Sequence, residues 1–200
     1  MISVLSVRTA ILQAYSIDSA GGCALAGGAG GVPPVSSTHR LACRYEAAKV
    51  IAAVEALPVD LRAWVLWAYG PALVAVTRNV QEGAVRALAA VVDMPTLVAE
   101  LSERKALRVQ LLAYAHMENH RALAVTGANK HRKPSHLDHA VRRISGGSVG
   151  LDLQGRNYDR DYGWLADVVA SGCADLDAAA LPPVGAALRS IHGFREGVSA

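Results

Sequence analysis

The stretch NKHRKPSHLDHAVRR, residues 129–143, holds five Lys or Arg and three His against one carboxylate, Asp138. Side chains of these types suit a polyanion. Lys130, Arg132, Lys133, Arg142 and Arg143 can neutralise phosphates, each releasing condensed counterions and making affinity salt-sensitive. His131, His136 and His139 can hydrogen-bond phosphate oxygens and gain charge as pH falls. The competing reading is a solvated connection between helices, since a run of Lys and Arg on its own often means no more than that.

The charge distribution favours the first reading. The whole-chain net of +3 is modest. Residues 1–100 carry seven basic and seven acidic side chains, whereas residues 101–143 carry nine basic and three acidic. Residues 144–200 reverse the balance, with four basic and seven acidic. The positive excess therefore sits in one stretch, where a polyanion would feel it most. Arg104, Lys105, Arg108 and Arg121 extend it along the preceding segment.

After the basic stretch, SHLDHAVRRI reads as a short helix capped by Ser135, and SGGSVG as a glycine turn. RNYDRDYGWLADVV then reads as a helix capped near Asn157. Arg156, Asn157 and Arg160 stand at its start, where a reading helix presents Arg and Asn to guanine and adenine edges. The spacing from turn to helix is longer than a compact helix-turn-helix allows, and Asp159 and Asp161 oppose phosphate.

The residue types also suggest two other chemistries. HMENH sets His116 and His120 one helical turn apart, a spacing that can chelate zinc with a third ligand from His136 or His139. Glu118 lies between them and points to the other side, so exposed polar residues at a helix end are the expectation. Asp152, Asp159, Asp161, Asp167, Asp175 and Asp177 invite comparison with a divalent-metal nuclease, but Asp159 and Asp161 diverge on a helix. No nucleophile–base pairing assembles either. The expectation is a non-enzyme with no cofactor and no metal.

The elements that must position the basic stretch are helical. Alanine is abundant and aromatic residues are only 5% of the chain, a composition that favours helix over strand. Residues 3–17 suit a short helix, and GGCALAGGAGGVPP suits a flexible linker rather than a dinucleotide loop, lacking the strand and helix such a loop needs. LACRYEAAKVIAAVEAL follows a hydroxyl-rich cap. Its residues Leu41, Tyr45, Ala48 and Ala52 share one face, expected to be core-facing. The next helix runs from about Pro58 to Gly70-Pro71, with a stripe of Leu61, Trp64, Val65 and Ala68. Trp67 and Tyr69 lie off that stripe, so this helix is either buried on several sides or offers a partner surface. VRALAAVV continues the helical pattern. A long helix is expected from Pro95 to about Val125, its apolar line passing through Leu97, Leu101, Leu107 or Arg108, Leu111, Tyr114 or Ala115, and Met117. Glu100 and Arg104 form an i,i+4 pair on its exposed face. A last helix spans roughly 174–191, bent or restarted at Pro182-Pro183.

Three widely spaced cysteines, Cys23, Cys43 and Cys173, argue against a disulfide framework and a cysteine zinc site, which favours a reducing cytoplasm. The longest central uncharged stretch is fifteen residues, whereas a bilayer span needs about 20. No membrane association is expected.

The segments LPVDLRAWVLWAYGP, RNYDRDYGWLADVV and DLDAAALPPVGAAL resemble small bacteriophage and prophage proteins of Gram-negative bacteria, over about a quarter of the chain. The resemblance implies a phage-encoded cytoplasmic protein of the regulatory or late region, where antitermination proteins act on DNA and RNA polymerase. The cysteine-based zinc module that such proteins can carry is absent.

These readings combine into one expectation. The chain is mainly α, an irregular multi-helix bundle whose C-terminal part is helix-turn-helix-like. Residues 1–37 form a helix and linker, residues 38–128 a helical core, and residues 129–200 the basic segment with a helical subdomain. The binding set is Lys130, His131, Arg132, Lys133, His136, Arg142, Arg143, Arg156, Asn157 and Arg160, with DNA as ligand and RNA polymerase or another protein as a further partner. The rival is a non-catalytic helical interaction protein using Trp67 and Tyr69.

Overall fold

A computed structural model describes residues 7–19, 37–127, 129, 133–151 and 155–198. Among the described residues there are nine helices and no strand, so the mainly α expectation holds. The chain separates into two compact units: residues 1–81 with 178–200, and residues 82–177. They are cut differently from the three segments read off composition, with boundaries inside helices rather than near residues 37 and 128.

The first unit is built from α1 (Val7–Ser19), α2 (Ser37–Glu55), α3 (Val59–Tyr69), α4 (Ala72–Ala75) and the C-terminal part of α9 (Gly155–Val198). Its centre is α3, and the local chemistry of its ends was legible. Pro58 takes the N-cap, with Asp60 in the first turn where the helix dipole favours an acid. Pro71 forces the residue before it out of helical conformation, and Gly70 stops the helix in an extended conformation. A Cβ on Gly70 would run into the backbone carbonyl oxygen of Leu66, so only glycine fits this approach.

Every residue from Ala63 to Tyr69 is buried, the pattern of a helix enclosed on all sides. The Trp64 and Trp67 rings pack with centroids 5.6 Å apart, and the Arg8 guanidinium lies 5.4 Å from the centroid of Tyr69. Trp67 and Tyr69 are thus core residues. This corrects the rival reading in which they present a partner surface: large aromatic rings bury more apolar area than any other side chain here, and the unit closes around them.

The second correction concerns α2. Its inward stripe is Cys43, Ala47, Val50 and Val54, packed chiefly on α1. The expected core residues Leu41, Tyr45, Ala48 and Ala52 face solvent, with Leu41 66% and Tyr45 59% exposed. The helix carries two apolar stripes. The one with short and β-branched side chains lets its neighbours approach closely, and it wins the interior.

The second unit holds α5 (Arg78–Val91) from Glu82 onward, α6 (Met94–Val98), α7 (Glu103–Thr126), α8 (Pro134–Ile144) and the first part of α9. Asp93 turns the chain between α5 and α6 in the left-handed region, φ 49°, which a short polar side chain tolerates. The single helix expected from Pro95 to Val125 is two. Ser102, extended at φ −61° and ψ 150°, restarts the chain as the N-cap of α7. Glu100 therefore precedes the helix that holds Arg104, and the expected i,i+4 spacing is lost. The apolar line holds only in part: Ala115 and Met117 are buried as expected, whereas Leu107 is exposed and Val109, Leu112, Ala113 and Ala122 take the other interior positions.

The opposite error occurs in α9. Two expected helices are one, and Asn157 lies inside its first turns rather than at a cap. Tyr158, Tyr162, Leu165, Val169, Cys173 and Leu176 are buried at helical period. The carbonyls left without a helical donor by Pro182 and Pro183 belong to Ala178 and Ala179, which are exposed, so water can serve them. Among the described residues no helix is long and apolar enough to cross a membrane.

Candidate nucleic-acid interface

Helix α8 carries the described part of the basic stretch. It begins with Lys133 at the N-cap and Pro134 in the first turn, so Ser135 is not the cap. Proline is preorganised there and loses only a donor that the helix does not use. It ends where Gly146 and Gly147 adopt φ 61° and 85°, and the Gly147 N–H donates to the Arg142 carbonyl at 2.7 Å.

Leu137, Ala140 and Val141 are buried, while Ser135, His136, His139, Arg142 and Arg143 are exposed, as is Lys133. The interior contacts of α8 run chiefly to α7. Of the ten expected binding residues, three, His136, Arg142 and Arg143, share the solvent-facing side of α8, and Lys133 is exposed at its N-cap. His139 joins them. Lys130, His131 and Arg132 lie outside the described residues. Arg156 and Asn157 are described only through their backbone, in the first turn of α9. Arg160 stands on α9, not on α8.

The arginines have intramolecular work. Arg142 donates from Nε to Asp138 Oδ2 at 2.8 Å, and the other carboxylate oxygen accepts the Leu151 N–H at 2.7 Å. Arg108 donates to the Gly150 carbonyl at 3.0 Å. Asp138 and Arg108 together tether the chain after the glycine turn, with Arg142 held against Asp138. Burial pushes the Asp138 carboxyl up, but the Arg142 and Leu151 hydrogen bonds, with the charges of Arg142 and His139, outweigh it. The net position is below the usual carboxylate range.

Arg143 pairs with Glu118 of α7. Arg160 lays its fork on Asp161 at 2.7 and 3.0 Å. That hydrogen bond, helped by the charge of Lys105, holds the Asp161 carboxyl below its ordinary range. Positive charge is thus trimmed at three of the expected positions. The Asp138–Arg142 pair was missed, although its i,i+4 spacing with the acid first signals it. The Arg143–Glu118 pair, 25 residues apart, has no such signal.

The histidine pair of α7 does not converge on a metal. His116 Nε2 shares a 2.9 Å hydrogen bond with the Tyr158 hydroxyl, and His120 Nε2 lies 3.6 Å from Asp177 Oδ2. Among the described residues no group of three or more His, Cys, Asp or Glu is placed to hold a metal ion. Burial, with Asp159 adding, pushes the Tyr158 hydroxyl up to about 12, so it stays a neutral phenol at physiological pH. Burial and then Asp177 push the Cys173 thiol up to about 12. A thiol so placed is a core residue rather than a nucleophile.

What α8 can do chemically is present positive and hydrogen-bonding side chains along one helical face, fixed by an apolar underside and by two carboxylates. No family model, no curated protein and no solved structure matches the chain.

Proposed function

We propose that the protein binds nucleic acid through the outward face of α8, without catalysis. The observation that carries this reading is the division of α8. Leu137, Ala140 and Val141 are buried, His136, His139, Arg142 and Arg143 share the exposed side, and Lys133 is exposed at the N-cap. Lys130, His131 and Arg132 precede it directly in sequence. Phosphate contacts from this face position the protein without specifying sequence. A guanidinium has five N–H donors in a planar fork, so the bond of Arg143 to Glu118 orients the group without exhausting it.

The resemblance to phage regulatory-region proteins favours a cytoplasmic transcription regulator of the antitermination type, with DNA as ligand and RNA polymerase as a further partner. The start of α9, with Arg156, Asn157 and Arg160, would then contact bases or that partner.

The test is a salt-titrated DNA shift with the triple variant Lys133→Ala, His136→Ala, His139→Ala. These residues are exposed, and none of them tethers the loop as Asp138 and Arg108 do. Affinity should fall for every sequence tried, with the slope of log K against log salt reduced by about one for the lost lysine. Circular dichroism should be unchanged. Equal affinity and slope in parent and variant would remove the proposal.

A further inference from the structure

We propose that the outward face of α2 is a self-association surface, on which the α2 helix of a second copy lies antiparallel across a two-fold axis. This does not depend on the nucleic-acid reading. Leu41, Tyr45, Ala48 and Ala52 are all exposed and recur at spacings of four, three and four. That is the seam along which two helices pack knobs into holes. Ala56 continues the face, because its N–H still donates to the Ala52 carbonyl at 3.0 Å.

The seam is asymmetric. Its large residues, Leu41 and Tyr45, lie toward the N-terminus, and its small ones, Ala52 and Ala56, toward the C-terminus. An antiparallel copy sets Tyr45 over Ala52 and Leu41 over Ala56, with Ala48 beside the axis. A parallel copy would set large on large at one end and leave a gap at the other. Charge points the same way. Arg44 and Glu55 lie on the same edge of the seam, near opposite ends of the helix, and both are exposed. In the antiparallel pair that edge meets its own copy reversed, so each Arg44 approaches the partner's acidic end. A parallel pair sets each edge against the opposite one, so Arg44 and Glu55 do not meet across the seam.

Glu55 already accepts from Tyr15 and Arg62, yet a carboxylate has about four acceptor sites. Lys49 lies 4.9 Å from the centroid of its own Tyr45 ring, a cation–π contact within one copy. Two-fold symmetry closes the contact, so association stops at a dimer.

The experiment is light scattering behind size exclusion, up to the upper micromolar range, on the full chain and two variants, with cross-linking of two cysteine variants beside it. The parent should dimerise. Tyr45→Glu should be monomeric, and at dilutions where the parent is monomeric too it should share the parent's melting temperature, since the side chain is outside the core. Ala52→Leu is decisive: it enlarges the apolar area but fills the space meant for Tyr45, so association should weaken by about tenfold or more. Stronger association of Ala52→Leu would mean a non-specific apolar patch and overturn the proposal, as would a parent monomeric throughout. Leu41→Cys should cross-link to Ala56→Cys in a mixture and not to itself. Self-cross-linking of Leu41→Cys would overturn the antiparallel arrangement.

Discussion

The two units of the chain are stabilised by different means. In the first, the interior is mainly aromatic and aliphatic: Trp64, Trp67, Tyr69, Val50 and Val54 are enclosed, with Glu46 a buried carboxylate among them, and the ends of α3 are set by proline and glycine. In the second, the interior is crossed by polar pairs that join elements distant in sequence. His116 meets Tyr158, Arg108 meets Gly150, and Asp138 meets Leu151. Apolar packing tolerates changes of pH and salt but not changes of volume. Polar pairing adds a dependence on protonation and on the partner's presence. The basic helix belongs to the second kind of unit, so its placement should respond to charge in a way that α3 does not.

The largest effect should come from emptying the first unit. Trp64→Ala removes a ring that is fully buried, and cavity formation at such a site costs about 3–5 kcal/mol. Denaturant midpoints should record that loss equally at pH 5 and pH 8. A loss that varied with pH would blur the contrast between the units.

In the second unit, Tyr158→Phe keeps the ring and deletes the hydroxyl. His116 then loses a 2.9 Å partner in partly buried surroundings, which costs about 1–2 kcal/mol. The same measurement should show it, and adding His116→Phe should recover part of the loss, because an apolar pair leaves nothing unsatisfied. Failure of the double variant to recover would mean that His116 is held by its other interactions instead.

The sequence carried these two modes unequally. The ends of α3 were readable because Pro58, Gly70 and Pro71 act on the backbone locally, whatever the rest of the chain does. The C-terminal stop of α7 at Gly127, φ 68°, was readable for the same reason. The inward face of α2 was not, because Leu41–Tyr45–Ala48–Ala52 and Cys43–Ala47–Val50–Val54 are both apolar at helical period. Only the shape of α1 and α3 decides between them. The continuity of α9 was hidden before residue 174, where Gly172 falls between two helical patterns, and again at Pro182-Pro183, whose cost depends on whether the orphaned carbonyls reach water. In the candidate site, the surface of α8 followed from its amphipathic pattern. Its cancelling carboxylates did not, since charge counted along the chain ignores a partner on another helix such as Glu118.

Gly172 tests packing within the polar unit. A Cβ there would stand 2.5 Å from Val92 Cγ1 and 3.0 Å from Leu88 Cδ1. Replacing a helical glycine by alanine gains up to about 1 kcal/mol in helix propensity, but overpacking costs about 1–3 kcal/mol. The atoms met are ends of side chains and can yield, so Gly172→Ala should lose about 1 kcal/mol in thermal or chemical melts. A stabilised variant would show that this close approach is looser than the interior of the first unit.

The smallest effect on stability should be the most informative about function. Asp138→Asn keeps the shape and an acceptor for the Leu151 amide but removes the charge facing Arg142 and His139. A partly exposed ion pair of this kind contributes about 0.2–1 kcal/mol. The folded-state carboxyl sits below its unfolded range, so its contribution is present above the unfolded pKa and is lost as pH falls through the folded one. Parent and variant should therefore differ at pH 7 and converge at strongly acidic pH, where the parent's own carboxyl is protonated. DNA affinity should move the other way. Relieving α8 of its one carboxylate raises the charge that phosphate meets, so binding should tighten and its salt slope should steepen by up to about one. Loss of affinity together with stability would instead mean that holding Arg142 in place outweighs neutralising it, and that Asp138 orients the interface it partly cancels.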